Sequence, residues 1–384
     1  MTGNHCVWPL LSLCLIISLA GCTMIGLAGN QPAAAPIEEG VAGGDPVPPP
    51  PPPPRSFSMV VVGDVMLDRT VGQRIKTNGA ESIFAKVRDE LRSADITFAN
   101  LESPLSTTGA HAPKSCIFRA DPAAVDVLVD GGIDVVALSN NHCLDPGTAG
   151  MLQTLDHLES AGVAYFGAHK ERERSWEPAL FEVDGLTLGF VACTDLSFEH
   201  GSWCKVDRER VEFARHIAAA DEKCDLLFVS IHWGNEYQDV PTERQQETAK
   251  AAIEAGADLI IGHHPHTLQG VGQHNGVPIL YSCGNFVFDQ REGERMESAI
   301  FDLDWTEDEG WQIRMVPVWI PIGRCGPIYP EEARAAKIIQ RLATLSTNLD
   351  VPVTVRGNEA AAVIPPPEAL EADPADEDEA GERP

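Results

Sequence analysis

Between residue 57 and about residue 345 the chain repeats one pattern: a short run of apolar, often β-branched positions, then a stretch with apolar residues three and four apart. The runs at 58–62, 96–99, 135–138, 186–192, 226–231, 259–261 and 278–281 predict strands. Helical spacing predicts helices over 83–92, 123–129, 148–160, 243–255 and 330–345. Strands alternating with helices predict a layered α/β domain in which helices cover the sheet faces. No internal repeat is evident.

The strand runs share a second feature. Val62 leads into Gly63-Asp64, Ala99 into Asn100-Leu101-Glu102, and Leu138 into Ser139-Asn140-Asn141-His142. Ile231 leads into His232, and Ile261 into Gly262-His263-His264-Pro265-His266. Ligands of α/β sheets bind outside the carboxyl ends of the strands. Taken singly, Asp64 reads as a turn residue and Asn141-His142 as a cap. Three histidines within four residues are harder to bury neutral and satisfied together. Five strand ends carrying Asp, Glu, Asn and His to one rim therefore predict a metal site built from loops. Carboxylate, carboxamide and imidazole ligands suit a divalent ion such as Mn, Fe, Zn or Mg. Two such ions about 3.5–4 Å apart form the usual clamp for phosphoester hydrolysis.

The ends of the chain differ from its body. Residues 7–20 are an apolar run of signal-peptide length, closing on Leu19-Ala20-Gly21-Cys22. That ending resembles a bacterial lipobox, although the preceding residues 1–6 contain no Lys or Arg. It predicts a lipoprotein signal peptide over 1–22, lipidation of Cys22, and a chain exported and anchored to the bacterial cell envelope. Residues 23–56 are rich in Pro, Ala and Gly, with seven consecutive prolines from Pro48 to Pro54, and predict an extended spacer. The folded domain is then expected over 57–348, and an acidic, Pro-rich disordered tail over 349–384.

Charge narrows the partners. The formal charge is -29, of which residues 368–384 carry -7 from eight acids against one Arg. Such acidity argues against a nucleic-acid backbone as partner and against adhesion to anionic headgroups through a basic face. Of ten cysteines, seven lie beyond Cys22 and none forms a CxxC pair. They predict scattered core thiols with at most one or two disulfides, not a disulfide framework or zinc cage.

Several segments together resemble the CapA family of poly-γ-glutamate capsule biosynthesis proteins, whose domain is similar to the calcineurin-like metallophosphoesterases. They are Gly63-Asp64-Val65-Met66-Leu67, Asn100-Leu101-Glu102-Ser103-Pro104-Leu105 and Ser139-Asn140-Asn141-His142-Cys143-Leu144-Asp145. His232-Trp233-Gly234-Asn235-Glu236-Tyr237, the stretch from Gly256 to His266, and Tyr281-Ser282-Cys283-Gly284-Asn285-Phe286-Val287-Phe288 complete the set, in family order from about 58 to 290. The resemblance implies a four-layer sandwich: two central mixed β-sheets flanked by helices. It implies Asp64, Glu102, Asn141, His232, His264 and His266 as ligands of one or two divalent ions, with Glu102 bridging and His142 protonating a leaving group. It also implies a metal-dependent hydrolase working with a capsule or polyglutamate synthesis machinery on an anionic polymer or a phosphate-containing substrate. Met66 departs from the family's Asp-x-His first motif, leaving one ligand position to Asp68 or another residue. A degenerate site serving capsule assembly without chemistry is the competing implication.

Other residues stay open at this stage. Asp145 orients His142 or caps the helix near Thr148. Glu236 reads as a ligand, as a group orienting one, or as a solvated acid. Lys114 and Arg119 read as binders of an anionic substrate group or as surface ion pairs. Trp233 and Tyr237 read as core or as substrate contacts.

Overall fold

The computed structural model describes residues 53–110, 112–196 and 202–366. The expected signal segment, Cys22 and nearly all of the proline spacer lie outside them. The chain first lays down the parallel half of one sheet: β1 (Ser56–Val65), β2 (Ile96–Leu101), β3 (Val135–Ala137) and β4 (Ala164–Phe166). It then builds a complete second sheet from β5 (Ala179–Val183), β6 (Leu186–Thr194), β7 (Leu226–His232), β8 (Leu259–His263), β9 (Val271–His274) and β10 (Val277–Leu280). Finally it returns to the first sheet with β11 (Asn285–Val287), β12 (Glu297–Thr306), β13 (Gly310–Trp319), β14 (Thr354–Arg356) and β15 (Glu359–Ile364). The nine-stranded sheet runs β14-β15-β13-β12-β1-β2-β3-β4 with β11 beside the end of β1, and the six-stranded sheet runs β5-β6-β7-β8-β10-β9.

Three cores follow from the alternation of side chains along these strands. In β1, Phe57, Met59 and Val61 point between the sheets, while Val60 and Val62 point to helices on the outer face. In β7, Leu226 and Phe228 face the inter-sheet layer, and Leu227, Val229 and Ile231 face helices Val211–Asp221 and Glu243–Glu254. The strands are apolar throughout because both faces are covered. Phe228 meets Phe57 across the sheets with ring centroids 5.7 Å apart. The result is the two-sheet, helix-flanked sandwich. Helix Glu332–Thr347 adds Ile338, Ile339 and Leu342 to the central layer.

All seven expected strands form, and helices Gly147–Ala161, Glu243–Glu254 and Glu332–Thr347 match within two residues. The expected helix over 83–92 is instead two short pieces, Glu81–Phe84 and Arg88–Leu91, and the one over 123–129 begins as a 3₁₀ turn. The tail boundary at 348 is a correction. β14 and β15 add to the sheet edge through β13, because Ala360, Ala362 and Ile364 alternate inward on an Ala-rich stretch that reads as low complexity. The cysteines are scattered, as expected, and neither of the disulfides allowed for forms among the described residues. All seven cysteines in the described residues are free, five of them as buried core thiols. Among the described residues no helix is long and apolar enough to cross a membrane.

Candidate metal centre

The polar strand ends meet at one place, drawn from both sheets. β1 delivers Asp64, the residue after β2 is Glu102, and the loop after β3 carries Asn140, Asn141 and His142. From the second sheet come His232 at the end of β7, and His263, His264 and His266 at and beyond the end of β8. All are buried, with Asp64, Glu102 and His263 fully so. Close backbone approach makes this convergence possible. A Cβ on Gly63 would stand 2.0 Å from the Gly284 carbonyl oxygen, and one on Gly262 would stand 2.1 Å from that of Tyr281. His264 and His266 both hold left-handed backbone, with φ of 96° and 55°. Non-glycine residues keep such angles only where the surroundings impose them, commonly at functional sites.

Glu102 is the hub. Its Oε1 lies 3.8 Å from His266 Nε2 and 3.9 Å from Nε2 of both His142 and His232. His232 Nε2 is 3.0 Å from Asn141 Oδ1, and the rings of His232 and His264 are 4.8 Å apart. Ligand atoms of Asp64, Glu102 and His266 fall within 4.8 Å of one another, as do those of Glu236, His264 and His266. Neither Glu102 oxygen has a hydrogen-bond partner, nor do Asp64 Oδ2 and His264 Nδ1. Burying a carboxylate with nothing to receive its lone pairs costs several kcal/mol. A divalent cation among these atoms supplies the missing partner, so the donor set fits one.

Charge in the site is distributed unevenly. Burial pushes the Glu102 carboxyl up to about 8, against the pull of His266. Burial works the same way on Asp64, yet His263 and His266 hold its carboxyl well below the ordinary range. Burial lowers His232 far below its usual value and His264 to about 3, leaving both imidazoles neutral and ready to ligate. His266 overcomes the same burial through Glu102, Asp64 and Asn285, and rises to about 9.

Beneath the ligands lies a supporting layer to which the sequence assigned no role. Asn100 Nδ2 donates to Asp64 Oδ1 at 2.8 Å, and His263 Nδ1 is 3.1 Å from the same oxygen. Asn140 holds Asn100 and the Leu101 carbonyl, at 3.1 and 2.9 Å. His266 Nδ1 lies 2.9 Å from Asn285 Oδ1 and 3.4 Å from Asp64 Oδ2, and the nearer amide oxygen takes its N–H. Such partners fix ligand tautomer and orientation. The signal for them was the density of Asn and His inside buried strand ends, where nothing else would make a polar residue necessary.

The residues left open take these places. Asp145 orients His142, its Oδ2 lying 2.6 Å from His142 Nδ1, and the helix from Gly147 has no side-chain cap. Lys114 is drawn into the site rather than spread on the surface, pairing with Asp145 and donating to the Asn141 carbonyl at 2.5 Å. Trp233 is core, fully buried with its indole N–H on the Tyr281 carbonyl at 2.9 Å. Tyr237 and Glu236 line the mouth, a cavity of about 360 Å³ also walled by Lys114, Phe118, His142 and Phe288. Arg119 is not among the residues that line this cavity, and its backbone N–H donates to Asp68 Oδ2 at 2.8 Å. Arg69 takes the place expected of it, with its guanidinium 4.8 Å above the Phe118 ring. That same Arg119 contact occupies Asp68, while Met66 is buried in the core under the helices.

The chain matches the model for the bacterial capsule synthesis protein PGA_cap over residues 58–290, a span that encloses every residue of the centre. It is 31% identical over 299 residues to the PGA biosynthesis protein CapA of Bacillus subtilis, covering 74% of this chain and 77% of that one. To the capsule biosynthesis protein CapA of Bacillus anthracis it is 30% identical over 286 residues, covering 71% and 69%. A probable polyglutamine synthesis accessory protein of Mycobacterium tuberculosis is 30% identical over 217 residues, covering 52% and 57%. Among solved structures, a Mycoplasma pneumoniae phosphatase aligns over 83% of this chain and 98% of its own, at 12% identity and a TM-score of 0.41.

Proposed function

The chain belongs to the PGA_cap family of bacterial capsule synthesis proteins, and from that premise we propose that it is a metal-dependent hydrolase of polyglutamate capsule synthesis. Its bond would be a phosphoester or γ-glutamyl linkage, in the polymer or in a carrier of it. The observation that carries the reading is the buried Glu102 carboxylate, whose two oxygens lack any partner amid Asp64, His232, His264 and His266. Asp64, Glu102, Asn141, His232, His264 and His266 would hold the ion, with Glu236 near the last two. A divalent ion bound there supplies Lewis-acid polarisation of a phosphoryl or carbonyl oxygen.

The remaining work falls to the chain's own groups. Asp145 accepts the Nδ1 proton of His142 and leaves Nε2 facing Glu102, so proton exchange with a leaving group takes place at Nε2. Phe118 stacks on the imidazole with centroids 3.9 Å apart and fixes the ring plane. Lys114 and Arg69 line the mouth and offer positive charge to an anionic substrate in an otherwise acidic protein. Cys22, lipidated, would tether the domain to the cell envelope through the proline spacer. Replacing Cys22 with Ala should then release the protein from the membrane fraction.

The test is elemental analysis of purified protein, then turnover of phosphoester and γ-glutamyl substrates by the metal-loaded form with His142→Ala as control. Metal-loaded wild type that cleaves neither bond overturns the hydrolase reading. A second reading, a non-catalytic assembly factor, is favoured by Met66, which places a buried thioether where the family motif has a ligand. It requires His142→Ala to leave capsule production intact while deletion of the protein abolishes it.

A further inference from the structure

A second cavity of about 390 Å³ lies away from the ligand set and is used by nothing described so far. Its walls carry Arg172, Trp176, Trp203, Lys205, His216 and Ser202. Two half-buried indoles stand beside the Arg172 guanidinium in one concavity of a chain of charge -29. Among the described residues the acid that lines it, Glu212, pairs with Arg215 at 2.6 Å. The walls are built rather than incidental. Trp176 stacks on His216 with parallel rings 4.5 Å apart, and it is anchored against the outer core of the second sheet. Trp203 is anchored against the outer core of the first, with the Arg172 guanidinium 5.8 Å from its ring. Aromatic faces fixed in this way offer contact area with little ordering cost on binding.

The cavity also shares a loop with the metal centre. Leu144, beside the orienting Asp145, lines it. Ser202 meets Ser139 through a hydroxyl contact of 2.5 Å, and Ser139 begins the segment that carries Asn141 and His142. The cavity wall thus touches the loop that carries Asn141 and His142.

We propose that this cavity is a subsite for a carboxylate-bearing chain, whose methylene stems lie on Trp176 and Trp203 and whose carboxylates meet Arg172. The chemistry follows from the wall: apolar faces beside a guanidinium match an anion with an aliphatic backbone, and local positive charge draws in an anion against the repulsion of an acidic body. The choice of a glutamate polymer as that chain rests on the proposed function. The cavity's affinity for carboxylates does not.

The experiment titrates the full-length protein, in the presence of EDTA, with a γ-linked glutamate octamer and follows indole fluorescence. Saturable binding that weakens with added salt is expected, with Arg172→Glu and Trp203→Ala each raising Kd at least about fivefold. Arg172 is exposed, so its variant keeps the test informative if Trp203→Ala fails to fold. His264→Ala should leave Kd within about twofold. Equal affinity of wild type and Arg172→Glu overturns the proposal, as does full displacement of the octamer by inorganic phosphate or tighter binding of an uncharged oligosaccharide. Absence of octamer binding alongside intact metal-dependent turnover defeats this subsite and leaves the proposed function standing. Binding without turnover does the reverse.

Discussion

The carboxylate of Asp145 lies 2.6 Å from Nδ1 of His142, and both residues are buried together at the edge of the metal centre. Three other contacts hold that carboxylate in place. The Phe118 backbone N–H donates to it at 2.6 Å, Lys114 pairs with it, and its own backbone N–H donates to the His142 carbonyl at 2.9 Å. Burial lowers the His142 pKa, and Asp145 acts against that without reversing it. Asp145→Asn, nearly the same in shape, removes the anionic acceptor and frees the tautomer. Turnover should fall about a hundredfold or more, with the alkaline limb of the pH–rate profile moved to lower pH. Metal content should stay at the wild-type level. Unchanged turnover and pH profile would remove His142 from the proton-transfer role.

Glu102 makes the metal a stability question as well as a chemical one. In the metal-free protein its carboxyl is buried without a hydrogen bond, and folding is opposed by that burial. A cation that binds only the folded state stabilises it by about 2.7 kcal/mol at a hundredfold excess over Kd. Thermal unfolding with and without Mn or Zn should therefore show a clear rise in Tm for the wild type. Glu102→Gln should show little rise, since an amide cannot balance the ion's charge. An equal rise in both would place the ion elsewhere.

How far these features are legible in the sequence depends on which physical signal each one leaves. The strands from 58 to 281 announce themselves because burial on both faces demands continuous apolar runs. The antiparallel pair β12 and β13 does not, since Asp302, Asp304 and Arg314 interrupt the pattern; Arg314 pairs across the strands with Asp302 and reaches Glu90 and Glu359. Ligands at strand ends are visible by type and order. His263 is not, because its task is to hold Asp64 from within the buried end of β8, and a local pattern carries no trace of a partner 199 positions away. Arg69 and Arg119 show the same limit from the other side. Both are basic and near the site in sequence, and only the fold shows that Arg69, with its left-handed φ of 53° after β1, lines the cavity.

Gly262 is where the site depends on the absence of a side chain. A Cβ there would meet the Tyr281 carbonyl oxygen at 2.1 Å and the Trp233 indole nitrogen at 2.7 Å. Neither is the free end of a flexible chain: one is backbone of a neighbouring strand segment, the other a fully buried ring hydrogen-bonded to it. Gly262→Ala should cost about 3 kcal/mol or more in chemical denaturation, from overpacking between β8 and the segment after β10. It should also reduce metal uptake, since His263 and His264 follow directly. Wild-type stability in this variant would mean that β8 and its neighbour can separate without loss.

Asp258, just before β8, gives a pH dependence free of the metal. Burial raises its carboxyl to about 7, outweighing the 2.7 Å hydrogen bond it accepts from the Leu227 N–H. Its folded pKa thus lies above the unfolded value near 3.9. A group raised in this way favours the folded state fully below the unfolded pKa, and that contribution is lost as pH rises towards and through the folded pKa. Between about pH 4 and pH 7 Asp258 therefore tilts the stability curve downward with rising pH. Asp258→Asn keeps an oxygen to accept from Leu227 and removes the titration, so its stability should fall less over that interval. Urea unfolding of wild type and variant at pH 5 and pH 7, both with EDTA to silence the metal centre, measures the difference. A variant whose loss between the two pH values equals that of the wild type would show that Asp258 stays ionised throughout.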